Sequence, residues 1–260
     1  ETALHDYNAA PRAQIAARWQ YLAILGLIGV GAYNALQYMA LRTSTPLNVT
    51  LIASSSPVWA MVVGALGYKV IPTRLQLIGA VLSLAGVALV MSRGNPAALA
   101  DIQFVQGDLL MLLAIIGWSI YSWMLARPPA HMTGTARPAW NWAQFLVAQC
   151  VFGVVWAVGA AGAGDLIAPS APTQWSWQLV AAIVFIAIGP SIIAYRLWGL
   201  AVAEAGPAMA SIFYNLTPLF AAVLSAAVIG ESPPPSHGVA FALIVAGIMV
   251  SSRSMAKKIT

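Results

Sequence analysis

Eight runs of apolar residues, most of them close to twenty long, fill this chain of 260 residues. Cut at polar and Pro/Gly clusters, they extend over Trp19 to Leu41, Pro46 to Gly67, Leu75 to Ser92, Asp108 to Ala126, Asn141 to Ala161, Trp177 to Ala203, Pro207 to Ile229 and His237 to Ser252. A hydrocarbon core about 30 Å thick needs roughly 20 apolar residues per helix, so each run is long enough, or nearly so, to cross a bilayer. Barrel strands would be shorter and would alternate in polarity, whereas these runs are continuously apolar with Gly and Ala throughout. The expected fold is an all-α polytopic membrane protein with eight spans in this chain.

Only 7% of the residues are charged, against about 25% in a soluble domain. The net charge of +5 is spread too thinly to build the basic face that a nucleic acid requires. Cys150 stands alone and the three histidines have no companion at ligand spacing, so no disulfide, metal site or cofactor is expected. The polar stretch before Trp19 and the length of the run after it do not fit a cleaved signal peptide.

Lys and Arg set the orientation. Alternate loops place Arg12, Arg18, Lys69, Arg74, Arg127, Arg137, Arg253, Lys257 and Lys258 on one side and only Arg42 and Arg93 on the other. Positively charged loops stay inside, so both ends of the chain are expected in the cytoplasm of a bacterial-type inner membrane. Asp101, Asp108, Asp165 and Glu231 fall on the outer side.

One offset, 161, aligns the chain with itself: Pro46 meets Pro207, Pro57 meets Pro218, Ala40 meets Ala201, and Ala85-Gly86 meets Ala246-Gly247. It carries the second span onto the seventh, five further along, so the repeat unit has five helices and its copies cross the membrane in opposite senses. By that count residues 106–260 hold a complete unit with a short basic tail, and residues 1–105 hold the last three helices of the other. A native protein of ten helices is expected, two of them preceding this chain, and the lack of an initiator Met agrees with a trimmed start.

The residues that recur include Thr45-Pro46, Ser56-Pro57-Val58, Gly79 and Ala85-Gly86-Val87 in the first copy, then Gly206-Pro207, Leu216-Thr217-Pro218-Leu219, Gly230-Glu231 and Ala246-Gly247 in the second. This pattern resembles the repeat unit of the drug/metabolite transporter superfamily, of the EamA-like kind, over nearly the whole chain. The abundance of tryptophan is similar to that of the YddG-type exporters of aromatic amino acids. The resemblance implies a secondary transporter that moves a small metabolite by alternating access. The chain departs from the pattern at Gly67-Tyr68-Lys69, where the first copy lacks the Gly-Glu of the second.

Pro57 and Pro218 each stand eleven residues after a proline that starts the same run, about 16 Å along a helix and hence close to the bilayer midplane. Each removes a backbone hydrogen bond and frees the carbonyl four residues back, at Ala53 and Tyr214. Paired interruptions at mid-depth point to a central binding cavity, with Pro57 and Pro218 as hinges. Polar and aromatic side chains on single helical faces supply candidate lining: Tyr33, Asn34, Gln37 and Tyr38; Ser54; Trp118, Tyr121 and Ser122; Tyr195 and Trp198; Ser211, Tyr214 and Asn215. Such a lumen suits a flat ligand with a zwitterionic end. The alternative use of the same groups is hydrogen bonding between helices.

Arg196 lies inside the sixth span and either holds a carboxylate or snorkels to the cytoplasmic interface, the second being favoured for a long flexible side chain. Trp19, Trp140, Trp142, Trp175 and Trp177 sit at span ends, as interfacial anchors do. No Asp or Glu falls mid-span, which disfavours a carboxylate proton relay. No nucleophile has a base beside it at membrane depth, so an intramembrane enzyme is not expected. The expected substrates are aromatic and other neutral amino acids, with lipophilic drugs or other metabolites as the alternative. The bilayer is the other partner, and the oligomeric state is open, with a monomer compatible.

Overall fold

The computed structural model describes residues 11–95, 97–100, 103–167, 173–230 and 235–256. Asp101, Glu231, Lys257 and Lys258 lie outside the described residues, as do the side chains of Arg12 and Asp165. Among the described residues, ten helical segments of eight residues or more carry the chain: α1 (Trp19–Ala40), α2 (Pro46–Ser54), α3 (Ser56–Tyr68), α4 (Arg74–Met91), α5 (Gln106–Ala126), α6 (Trp142–Ile167), α7 (Trp177–Ala205), α8 (Pro207–Tyr214), α9 (Thr217–Ile229) and α10 (Ser236–Ala256). Seven stretches among the described residues are long and apolar enough to cross a membrane, and α2 with α3, bent by 41°, makes an eighth when the pair is counted as one span. Among the described residues there is no strand, and the protein is an all-α polytopic membrane protein.

Local chemistry sets the ends of these helices. The Thr45 hydroxyl accepts from the Asn48 amide and Pro46 takes the first turn of α2, where its missing N–H costs nothing. Thr73 and Gln76 form a reciprocal capping box at the start of α4. The ends of α3 and α9 turn through left-handed residues, Lys69 at φ 56° and Gly230 at φ 79°. Gly is at home there, whereas a lysine in the same conformation is uncommon.

Structural features recur at the spacing of the sequence repeat. Seven residues of π-helix occupy Gly26–Ala32 in α1 and again Ala187–Ile193 in α7, 161 residues on. The α2/α3 break at Ser55 recurs at Asn215–Leu216 between α8 and α9. α4 and α10 pack antiparallel, with Gly79 facing Gly247 and Gly86 facing Ala240. The first of these pairs maps onto the second when each residue is replaced by its repeat counterpart, so this contact has twofold character. A Cβ on either Gly79 or Gly247 would sit 2.5 Å from the other's carbonyl oxygen, so the two backbones meet directly.

By packing, the chain divides into two compact units. The first holds the described residues up to Ala35 together with Arg127–Ala201. In it α1 lies on α6 at Gly26, whose Cβ would come within 2.7 Å of the Gln149 carbonyl oxygen, and Trp156 Nε1 donates to the Ala23 carbonyl at 3.2 Å. The second holds Leu36–Ala126 and the described residues from Val202 onward. Its apolar centre is Val87, Val90, Leu219, Ala240 and Ile244. α5 is fastened to α3 by Trp123, which lies over Gly64, stacks on Tyr68 with ring centroids 5.0 Å apart and donates from Nε1 to the Ala60 carbonyl at 2.6 Å. This partition follows contacts and is a different division from that of the sequence repeat.

Candidate functional site

In the first unit, the half-buried candidates Tyr33, Asn34, Tyr195 and Trp198 lie just beyond the two π-helical segments. The Tyr195 hydroxyl donates to the Gly29 carbonyl inside the α1 segment. Asn34 Nδ2 donates to the next carbonyl, that of Val30, at 3.1 Å. A helix returning from i+5 to i+4 bonding passes over one carbonyl, and in a membrane core that oxygen needs another donor. The Tyr195 hydroxyl answers that need at Gly29 in α1. Arg196 lies with its guanidinium 5.2 Å from the Trp142 ring centroid. Trp142 begins α6, so this arginine reaches the level of a helix end.

In the second unit, the hydroxyls of the candidate set turn back on their own helices. Ser54 donates to the Thr50 carbonyl at 2.7 Å, Ser122 to Trp118 at 2.8 Å and Ser211 to Pro207 at 2.8 Å. Thr217 Oγ1 donates at 2.6 Å to the Tyr214 carbonyl, the oxygen that Pro218 frees, while the Ser55 hydroxyl donates to Ile52 at 2.6 Å in the first break. Asn215 is 1% exposed and its Nδ2 donates to Ser83 Oγ at 2.9 Å, tying the α8/α9 break to α4. Trp118 and Tyr121 face each other on α5 with centroids 5.1 Å apart. Tyr121, Ser122, Ser211, Ser54 and Asn215 are buried, Gln37, Trp118 and Tyr214 are half-buried, and Tyr38 is exposed. Pro57 is buried beside the α2/α3 bend and Pro218 is half-buried in the first turn of α9.

Sequence reasoning missed a polar knot at the end of α5. Asp108 is 3% exposed; its carboxylate accepts from the Ser44 hydroxyl, from Asn48 Nδ2 at 3.2 Å and from the Val105 amide at 2.9 Å. Asn48 also donates to the Gln103 carbonyl at 3.1 Å. The signal was present, since an acid in the third position of a helix commonly takes the amide that begins it. Asn48, Val105 and Asp108 of the knot line a cavity of about 470 Å³ between α2 and α5, together with Leu51, Ile52, Phe104, Leu109 and Leu112. Among the described residues, no group of His, Cys, Asp and Glu could hold a metal ion.

A family model of EamA-like transporters matches residues 9–92 and 105–253. The chain belongs to the EamA-like transporter family. It is similar to an uncharacterized transporter of Archaeoglobus fulgidus, 24% identical over 234 residues that make up 90% of this chain and 76% of the relative. It is likewise similar to the uncharacterized transporter YyaM of Bacillus subtilis, at 25% identity over 88% of this chain and 72% of that protein. A protein of Streptantibioticus cattleyicolor named as a probable terminal-alkyne amino-acid exporter is 25% identical over 89% of this chain and 72% of its own length. A crystal structure with 20% sequence identity superposes with a TM-score of 0.66, covering 99% of this chain and 92% of that one, and shares the fold. This EamA-like protein is thus a multi-pass membrane transporter whose relatives are transporters.

Proposed function

We propose that this EamA-like transporter exports aromatic and other neutral amino acids by alternating access, across a bacterial inner membrane with its C-terminus in the cytoplasm. The observation that carries the reading is the recurrence, 161 residues apart, of helices interrupted in their apolar middle, with serines at the α2/α3 break and tyrosines or amides at the others. Broken helices in corresponding positions of inverted repeats are where such carriers hold their substrates. In this reading residues 106–260 are one five-helix unit and residues 1–105 the last three helices of the other. The substrate-binding residues are then Tyr33, Asn34, Gln37, Tyr38, Ser54, Trp118, Tyr121, Ser122, Tyr195, Trp198, Ser211, Tyr214 and Asn215, with Pro57 and Pro218 as hinges. The relative named for an amino-acid exporter supports the substrate class, and tyrosine and tryptophan beside amides suit a flat side chain next to a zwitterion.

Counterflow tests it. Proteoliposomes loaded with unlabelled tryptophan or phenylalanine should accumulate the labelled amino acid from outside, and unlabelled threonine or methionine should compete. Absence of accumulation, with and without a proton gradient, would move the substrate to another metabolite or a drug and leave the fold and family untouched.

A further inference from the structure

The π-helical segments carry an asymmetry that the repeat makes informative. In α7 the Ala194 amide donates to the Gly189 and Ser191 carbonyls, so the return to α-helix passes over the carbonyl of Pro190. Pro190 is the counterpart, 161 residues on, of Gly29. The donor to Gly29 is Tyr195, and the counterpart of Tyr195 at the same interval is Asn34. Thus the two side chains next to the two skipped carbonyls are repeat mates of each other. The bond from Tyr195 to Gly29 breaks the twofold relation, because its mirror, Asn34 to Pro190, is replaced here by Asn34 to Val30 at 3.1 Å.

We infer that Asn34 and Tyr195 form a two-position latch. In this conformation the Tyr195 hydroxyl holds the free carbonyl of α1 at Gly29, and in the opposite one the Asn34 amide holds the free carbonyl of α7 at Pro190. The physical reason is that inverted repeats interconvert by exchanging conformations, so a contact made by one copy in one state is made by the other copy in the other. A π segment is a suitable place for such exchange, since its amides trade between i+4 and i+5 partners with little loss of bonding. Held, the segment stays π-helical; released, it anneals toward α-helix. The inference rests on the alternating-access reading above, but its test uses no substrate and so stands or falls separately from the counterflow result.

The test is hydrogen–deuterium exchange of the substrate-free full chain in nanodiscs of phosphatidylethanolamine and phosphatidylglycerol. Tyr195→Phe removes the donor to Gly29 while keeping the ring, and Asn34→Leu removes the amide while keeping the volume. Tyr195→Phe should speed exchange in residues 26–33 by about tenfold and slow it in residues 187–194, because the lost bond shifts the population to the other state. Asn34→Leu, which also loses the bond to Val30, should speed exchange in residues 187–194, and both variants should leave α4 and α10 unchanged. Exchange that moves in the same direction in both segments of Tyr195→Phe, or that stays within about twofold of the unsubstituted protein in both variants, overturns the latch.

Discussion

At the scale of single residues, the proposed site is tested first at side chains that this conformation leaves half open. Trp118 and Tyr33 are two such groups, on α5 and α1. Trp118→Ala and Tyr33→Ala should each slow counterflow about tenfold, worth roughly 1.4 kcal/mol, without loss of folded protein on size exclusion. Unchanged transport by both purified variants would remove these two from the site. Asp108 behaves differently, because its carboxylate satisfies three donors at once and sits at a helix end. Replacing it by Ala leaves the Asn48 amide and the Val105 N–H without that acceptor, each orphaned donor costing about 1–3 kcal/mol. Asp108→Ala should therefore lower the thermal midpoint in detergent by several degrees, whereas a transport defect at full stability would give Asp108 a role in the cycle.

At the scale of elements, glycines decide which helices approach. A methyl group on Gly79 or Gly247 meets a backbone carbonyl oxygen at 2.5 Å, and a backbone cannot step aside as a flexible side chain can. Gly79→Ala and Gly247→Ala should both reduce the yield of monodisperse protein by several-fold, while Gly238→Ala, on the same α10 but facing open space, should leave it unchanged. Equal yields for all three would mean that α4 and α10 separate more easily than their contact implies. Trp123 plays the equivalent part between α5 and α3, and Trp123→Ala, losing an indole packed on Gly64 and its bond to Ala60, should cost about 3 kcal/mol or more in a reversible unfolding measurement.

At the scale of the whole molecule, the distribution of basic residues makes orientation testable. In a Cys150→Ala background, an impermeant thiol reagent applied to intact cells should label Arg93→Cys and not Arg137→Cys, both of which are exposed in the structure. The reverse pattern would invert the topology proposed above.

The spans were legible in the sequence because a helix in hydrocarbon has to satisfy its own backbone, which makes length and apolarity sufficient signals. The expected run Trp177 to Ala203 is α7, Trp177–Ala205, and Leu75 to Ser92 is α4, Arg74–Met91. The paired breaks were legible too, since a proline within a helix removes a hydrogen bond wherever the chain goes. The π-helical segments were not, because Gly26–Ala32 and Ala187–Ile193 share no residue pattern that separates i+5 from i+4 bonding. Nor could spacing show that Ser54, Ser122 and Ser211 would turn to their own backbones, or that Ser44 and Asn48 would meet Asp108 some 60 residues away in the chain. Those outcomes depend on which donor lies nearest to which carbonyl once the helices have packed. The chain by itself therefore determined that it spans a membrane many times and where prolines break its helices; only the tertiary structure decided where the helices turn π-helical, which freed carbonyls are held, and by whom.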